Sequence, residues 1–246
     1  MRSRISRASS EIEMPVVVFI SIVYTTLARF VYLKREYKGE TVFPSPLKQG
    51  VPYGEMMGTR GAIGFRIDGV DKLTYNHFDS YPQGLGVDIL SQAQELYAAG
   101  PESLRAAARN IKMLNSDGVT KEVVEATRAY HNMGVSEQSE EDLYCLFREA
   151  HGDLTVYLNL GYMPDGNSFM LDSLFCEWAY ILDLDDGMLE VYEGGQSAAD
   201  PHNRYGQDTQ SGYFPCKLIL SFPLEDIHNV TENDFLAACD PQEEVV

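Results

Sequence analysis

The chain has 246 residues, 44% of them hydrophobic and 23% charged, which is enough for one large or two small packed domains and argues against wholesale disorder. Its formal net charge is −18, unevenly spread: residues 1–55 hold 8 Lys+Arg against 5 Asp+Glu, a balance of +3, so the remainder carries −21. A body so acidic repels nucleic-acid backbones and anionic membranes, keeps itself soluble and attracts basic protein surfaces, so nucleic acid is not expected as a partner.

Met14 to Leu33 reads MPVVVFISIVYTTLARFVYL, and Arg29 leaves a clean apolar run only from Pro15 to Ala28. That run is short for a membrane span and sized for a signal-peptide core. Arg2, Arg4 and Arg7 supply a positive flank, but Glu11 and Glu13 spoil it and no A-x-A site follows. Three readings stay open for residues 1–56. They are a membrane anchor through 14–33, a mis-assigned upstream start, or an added structural element. The second draws on Met56-Met57, preceded by Gly54-Glu55, which a purine-rich stretch resembling a ribosome-binding site can encode. Residues 1–56 are therefore set aside as non-core, and 57–246 is expected to be a single domain.

Ala62 to Ile67 and Lys72 to Phe78 predict a β-hairpin around Asp68-Gly69-Val70-Asp71, with Gly69 at positive φ. Four helices follow. The first carries Ile89, Leu90, Ala93, Leu96 and Tyr97 on one face and ends at Gly100. The second opens at Pro101 with Leu104, Ala107, Ala108, Ile111 and Leu114 inward. The third runs from Thr120 to His131, and the fourth is capped at Ser139 with Leu143, Leu146, Phe147 and Ala150 as its stripe. Leu154 to Leu160 reads as a strand. Phe175 to Leu184 and Met188 to Tyr192 flank a second turn, Asp185-Asp186-Gly187; Gly194 to Gly212 reads as a surface loop, Cys216 to Phe222 as a last strand and Thr231 to Ala238 as a last helix. The expected class is α+β: a mainly antiparallel sheet, with a block of about four helices between an N-terminal hairpin and C-terminal strands.

The densest chemistry lies at the open end of the first hairpin. Gly58-Thr59-Arg60-Gly61 enters it, and Tyr75-Asn76-His77-Phe78-Asp79-Ser80-Tyr81-Pro82 leaves it. In an extended strand His77 and Asp79 share a face, and a carboxylate beside an imidazole fixes its tautomer for acid–base work. The expected catalytic group is His77 with Asp79, with Asn76 or Tyr81 stabilising developing charge; Thr59, Arg60, Ser80, Gly84 and Gly86 are expected to bind an anionic substrate. Local turn chemistry alone also accounts for such a cluster. Asp183, Asp185 and Asp186 lack the pattern of a calcium loop and read as a solvated turn. Cys145, Cys176, Cys216 and Cys239 show no CxxC pair and suit a reducing cytoplasm; neither a metal nor a cofactor is expected.

The words GTRGAIGFRIDG, YNHFDSYPQGLG and EWAYILDLDDGMLEVYEG resemble an uncharacterised family of phages, bacteria and fungi, over most of residues 57–222. A more distant similarity is to N-terminal-nucleophile amidohydrolases, in which an Arg/Asn-x-x-Asp group at the end of the second strand supports a nucleophile at the start of the first. Asn76-x-x-Asp79 sits in a comparable place. The departure is at the nucleophile: a chain trimmed of Met57 begins with Gly58, and Thr59 comes one residue late. The first resemblance implies a phage-type accessory protein, and the hairpin residues read as the site of a small amide- or phosphoester-cleaving hydrolase over 58–86. The alternative is an acidic, non-enzymatic protein that binds a host or defence protein through its negative surface. A chain beginning at Met57 is expected to remain soluble and to match the full chain in its cooperative thermal unfolding by circular dichroism; aggregation of the shorter chain overturns the expectation that 1–56 is non-core.

Overall fold

The computed structural model describes residues 58–134 and 142–239. These fall in a compact unit, Glu55–Val246. The segments 1–56 and 14–33, and the cap expected at Ser139, lie outside the described residues.

Strand β1 (Gly61–Ile67) and strand β2 (Val70–Asn76) form the expected hairpin. Asp68 (φ 55°) and Gly69 (φ 74°) both take left-handed backbone, the mirror-image turn whose twist matches the strands. Strands β5 (Trp178–Asp183) and β6 (Met188–Glu193) form the second hairpin, and β7 (Lys217–Pro223) completes a five-stranded sheet of order β2-β1-β5-β6-β7. Three of its pairings are antiparallel, and β1 runs parallel to β5. The two hairpin turns are stitched together: the Asp185 carboxylate accepts the backbone N–H of Asp68 at 2.9 Å and of Gly69 at 2.7 Å. Asp183 accepts from the N–H groups of Asp185 and Asp186 at 3.0 Å each. The Asp183 and Asp185 carboxylates thus satisfy the turns, with Asp183 buried rather than solvated as expected, and among the described residues no cluster of three metal-type ligands occurs.

Among the described residues the helical block has five members: α1 (Val87–Ala99), α2 (Pro101–Asn110), α3 (Lys121–Thr127), α4 (Leu143–Leu146) and α5 (Leu154–Leu160); α6 (Glu232–Cys239) follows the sheet. Helix α2 ends sooner than its apolar spacing predicts. Ile111 ends it and Leu114 lies in a short strand, β3 (Lys112–Leu114), which pairs with β4 (Tyr162–Pro164). The Lys72 ammonium explains the stop by donating to the carbonyls of Ala108, Arg109 and Ile111 at 2.7–3.0 Å, neutralising the helix's negative end.

Residues 154–160 are a helix, not the strand expected. Leu154, Val156, Leu158 and Leu160 alternate, but the termini decide: the Asp153 carboxylate caps Val156 N–H at 3.1 Å and Gly161 (φ 68°) closes the far end. Gln92 holds the junction, accepting from Leu154 N–H at 2.7 Å and donating to the Gly152 carbonyl at 2.8 Å. Only Leu154 and Tyr157, three residues apart, are fully buried.

One sheet face, with Ile63, Phe65, Ile67, Tyr180, Leu182 and Val191, packs against the helices. The other, with Ala62, Leu73, Ala179, Ile181 and Tyr192, is covered by the 167–171 turn and the 194–216 loop. That loop is pinned by Arg204, which donates to Asp183 Oδ2 at 3.0 Å and to the two Glu190 oxygens at 3.2 and 2.6 Å. Asp183 is fully buried, and Tyr192 adds a bond to Glu190 at 3.0 Å. Arg204→Met is expected to cost about 3–5 kcal/mol, because it leaves two buried carboxylates short of their counter-charge. Chemical denaturation checks this; a change below about 1 kcal/mol overturns the clamp.

Candidate functional site

The sheet hydrogen bonding of β2 stops at Asn76, and the chain there turns tightly instead of continuing extended. Asn76 is buried and donates from Nδ2 to the Phe78 carbonyl at 2.7 Å and to Ser80 Oγ at 2.9 Å. Ser80, also buried, donates its N–H to the Thr59 carbonyl at 3.2 Å and accepts the Tyr180 hydroxyl on its own carbonyl at 2.9 Å. Asp79 takes left-handed backbone (φ 53°). The strand extension that would place His77 and Asp79 on one face is therefore absent, and their expected pairing does not form.

Several expected site residues hold up the architecture instead. Both Asn76 amide hydrogens are consumed locally, so the role that the amidohydrolase resemblance implies for it finds no free donor. Ser80 is wedged against Gly61, where an added Cβ would stand 2.7 Å from its Cβ. The amides of Gly84, Leu85 and Gly86 do not await an anion: they donate to the carbonyls of Tyr81, Asp79 and Tyr81. Gly84 and Gly86 are needed for close packing, since a Cβ would meet the Asp79 carbonyl at 2.5 Å and the Tyr180 hydroxyl at 2.8 Å. Tyr81 lies partly exposed beside Gly84, and Thr59 contributes its carbonyl.

What the tight turn does expose is His77. Its Nδ1 shares a hydrogen bond of 2.9 Å with the Tyr75 hydroxyl. Its ring is one corner of a closed circuit of four edge-to-face rings: Tyr75–His77 at 5.9 Å, His77–Tyr144 at 5.4 Å, Tyr144–His151 at 5.5 Å and His151–Tyr75 at 6.0 Å between centroids. Two guanidinium groups flank the circuit. Arg60 lies over Phe175 at 5.0 Å, and Arg148 over Phe78 at 4.5 Å and Tyr144 at 5.6 Å. Phe78 and Phe175 are 45% and 40% exposed, so both stacks sit at the surface.

Neither arginine forms an ion pair with a carboxylate among the described residues, whereas Arg66, Arg105, Arg109, Arg128 and Arg204 all do. In so acidic a chain, two cations left to aromatic rings are conspicuous. Their field is felt at the imidazoles. Partial burial, then Arg148 and Arg60, lower the His77 pKa and hold it neutral at pH 7. His151, more deeply buried beside Arg148 and His77, is lowered to about 4. His151 Nδ1 and Arg148 Nε are buried with no hydrogen-bond partner among the described residues.

Arg60 and Tyr75 also line an open cleft of about 580 Å³, with Asp165, Phe169, Asp172 and Phe175 along its length. The sequence reading places Arg60 and His77 at this end but misses Tyr144, Arg148, His151 and the Asp172 wall. Tyr144 lies on α4, whereas Arg148 and His151 follow in a 3-10 turn and its exit, so no single helical spacing marks the three. A second cavity, beside Arg105 and Asp185, lies by the hairpin turns at the other end of the sheet.

Unfolding frees His151 to bind a proton at its ordinary pKa of about 6.5. The folded pKa is depressed, so this group's contribution to stability is full above pH 6.5 and is lost as pH falls from 6.5 towards 4, on the order of 3 kcal/mol in all. Denaturant melts of the parent chain and His151→Gln at pH 7, 6, 5 and 4.5 are expected to show a shallower acid slope in the variant; parallel slopes overturn the assignment. Comparison with protein-family models, with curated proteins and with solved structures finds no match.

Proposed function

We propose that the open end of the hairpin is the active site of a small hydrolase that acts on an anionic substrate, with His77 as general base, Tyr75 as its positioning residue and Arg60 with Arg148 as an anion clamp. The observation that supports this reading is the 2.9 Å Tyr75–His77 hydrogen bond lying in the field of two guanidiniums that have no carboxylate partner among the described residues. In the tautomer whose Nδ1–H donates to the Tyr75 oxygen, Nε2 presents its lone pair to the site. A base must be neutral to accept a proton, and partial burial and the arginines keep His77 so.

Ser80 is buried with its hydroxyl engaged by Asn76, and water is taken as the nucleophile of this scheme. His77 takes one proton from water as the oxygen bonds to the electrophilic centre. The bond to the leaving group breaks, and the imidazolium returns that proton to the leaving atom. The guanidiniums stabilise the charge that builds on the non-bridging oxygens. Two planar cations fit a phosphoryl group better than a neutral amide, so phosphoester cleavage is favoured over amide cleavage. Four buried free thiols fit a cytoplasmic setting, and among the described residues no helix is long and apolar enough to cross a membrane.

The test is a hydrolysis screen of the full chain against phosphomonoesters, phosphodiesters and anionic amides. Turnover is expected to fall about 10²–10⁴-fold in His77→Ala and to lose its dependence on a group titrating below pH 6.5. Arg60→Gln is expected to raise KM more than it lowers kcat. Activity that survives His77→Ala unchanged, or no turnover on any class, overturns the hydrolase; salt-sensitive capture of a basic protein by that inert chain is the result expected of the acidic binder.

A further inference from the structure

The cleft next to His77 is not uniformly cationic. Arg60, Tyr75, Phe169 and Phe175 line it together with Asp165 and Asp172, with the Arg60 guanidinium over the Phe175 ring. Tyr75 and Phe169 are locked edge to face at 5.0 Å with their planes 85° apart, so this wall is rigid. Asp172 is held at one oxygen only: Oδ2 accepts from the Ser211 hydroxyl at 2.9 Å, and Oδ1 is buried without a hydrogen-bond partner among the described residues. A buried carboxylate oxygen with no donor costs free energy, and a ligand N–H brought to it recovers that cost.

These features demand three properties of a ligand. It carries an anionic group for guanidiniums that lack carboxylate partners, a flat apolar face for an aromatic wall, and an N–H edge for a carboxylate. We infer that the cleft takes a mononucleotide, its phosphate at Arg60 on the side towards His77, its heterocycle against the aromatic wall of Phe175 and Phe169, and the heterocycle's N–H edge on Asp172. This inference rests on the hydrolase reading of the same site and names its substrate class. A cleft of about 580 Å³ accommodates one nucleotide but leaves no continuous basic track for a polynucleotide. Repulsion from the −21 body grows with the number of phosphates, so a monomer is admitted where a duplex is repelled. A dipolar amino acid offers the anionic group and the N–H but leaves the aromatic wall unused.

Calorimetric titration of the full chain with inorganic phosphate, nucleosides and nucleoside monophosphates separates the terms. Monophosphates are expected to bind at least about tenfold more tightly than either fragment, because stacking a base on aromatic side chains adds to the phosphate contact. Phe175→Ala is expected to bring the ratio of monophosphate to phosphate affinity close to one, and Asp172→Asn to change which base is preferred. Asp172→Asn also serves if Phe175→Ala does not fold. Equal affinity for phosphate and monophosphates overturns the nucleotide while leaving the anion-dependent hydrolase standing. Tighter binding of an amino acid or its amide overturns it in favour of a dipolar substrate. Absence of binding by phosphate and monophosphate alike removes the anion clamp, and with it both readings.

Discussion

The side-chain amide of Asn76 governs the end of the hairpin on which the site stands. By spending both hydrogens within four residues, on the Phe78 carbonyl and the Ser80 hydroxyl, it ends the strand and folds the chain back. Each such bond contributes about 1 kcal/mol, but the larger effect is what removing it exposes: a buried amide position and a buried hydroxyl short of partners. The Asp79 backbone then adopts φ 53°, and its carbonyl receives the Leu85 N–H at 2.8 Å, starting the descent into α1. Ser80 is tied to Thr59 and Tyr180, which couples this turn to β1 and β5. The side chains of His77 and Phe78 stand outside that network while the Phe78 carbonyl is held within it, a disposition suited to keeping the imidazole in one orientation.

The arginines divide by task, and charge pairing separates the two groups. Arg66 and Arg204 are both drawn to the buried Asp183, and burial raises the Glu190 pKa while Arg204 opposes the rise. Arg109 bridges the first hairpin turn to α2 through Asp68, at 2.5 and 2.8 Å. Each of these cations is neutralised where it stands. Arg60 and Arg148 are held instead by aromatic faces, which fix a guanidinium without cancelling its charge. Burying two carboxylates against Arg204 builds structure; leaving two cations on rings keeps their field available for a ligand.

Much of the fold was legible because its signals are local. The Asp68-Gly69 and Asp185-Asp186-Gly187 turns, the Gly100-Pro101 break and the apolar runs that flank the second turn each act within a few residues. The 154–160 segment was misread because alternating leucines fit period two, while the stronger signals, Asp153 before it and Gly161 after it, lay at its ends. At the site, Arg60 and His77 were legible as polar residues converging on one end of a hairpin. The pairing of His77 was not, because strand geometry was carried three residues beyond the point where Asn76 cancels it. Tyr144, Arg148 and His151 reach His77 from far along the chain, and the Asp172 wall arrives through the turn at 167–171; no spacing near His77 encodes either approach.

The ring circuit then bears on how the site holds its charge. Tyr75, His77, Tyr144 and His151 contact each other edge to face around the full circuit, so moving one ring disturbs two neighbours. Both histidines are kept neutral by burial and by arginine, and a neutral imidazole is the form that packs in such an arrangement without an added counter-ion. Protonating His151 would place a cation beside Arg148 in a largely buried setting, which is why its pKa falls to about 4. An anion bound between Arg60 and Arg148 would reverse that pressure by compensating the arginine field, and would make His77 easier to protonate. A base whose proton affinity rises when its anionic substrate arrives is better matched to abstracting a proton from water than the same base in the empty site, so in the proposed hydrolase the clamp and the base would act as one device rather than as neighbours.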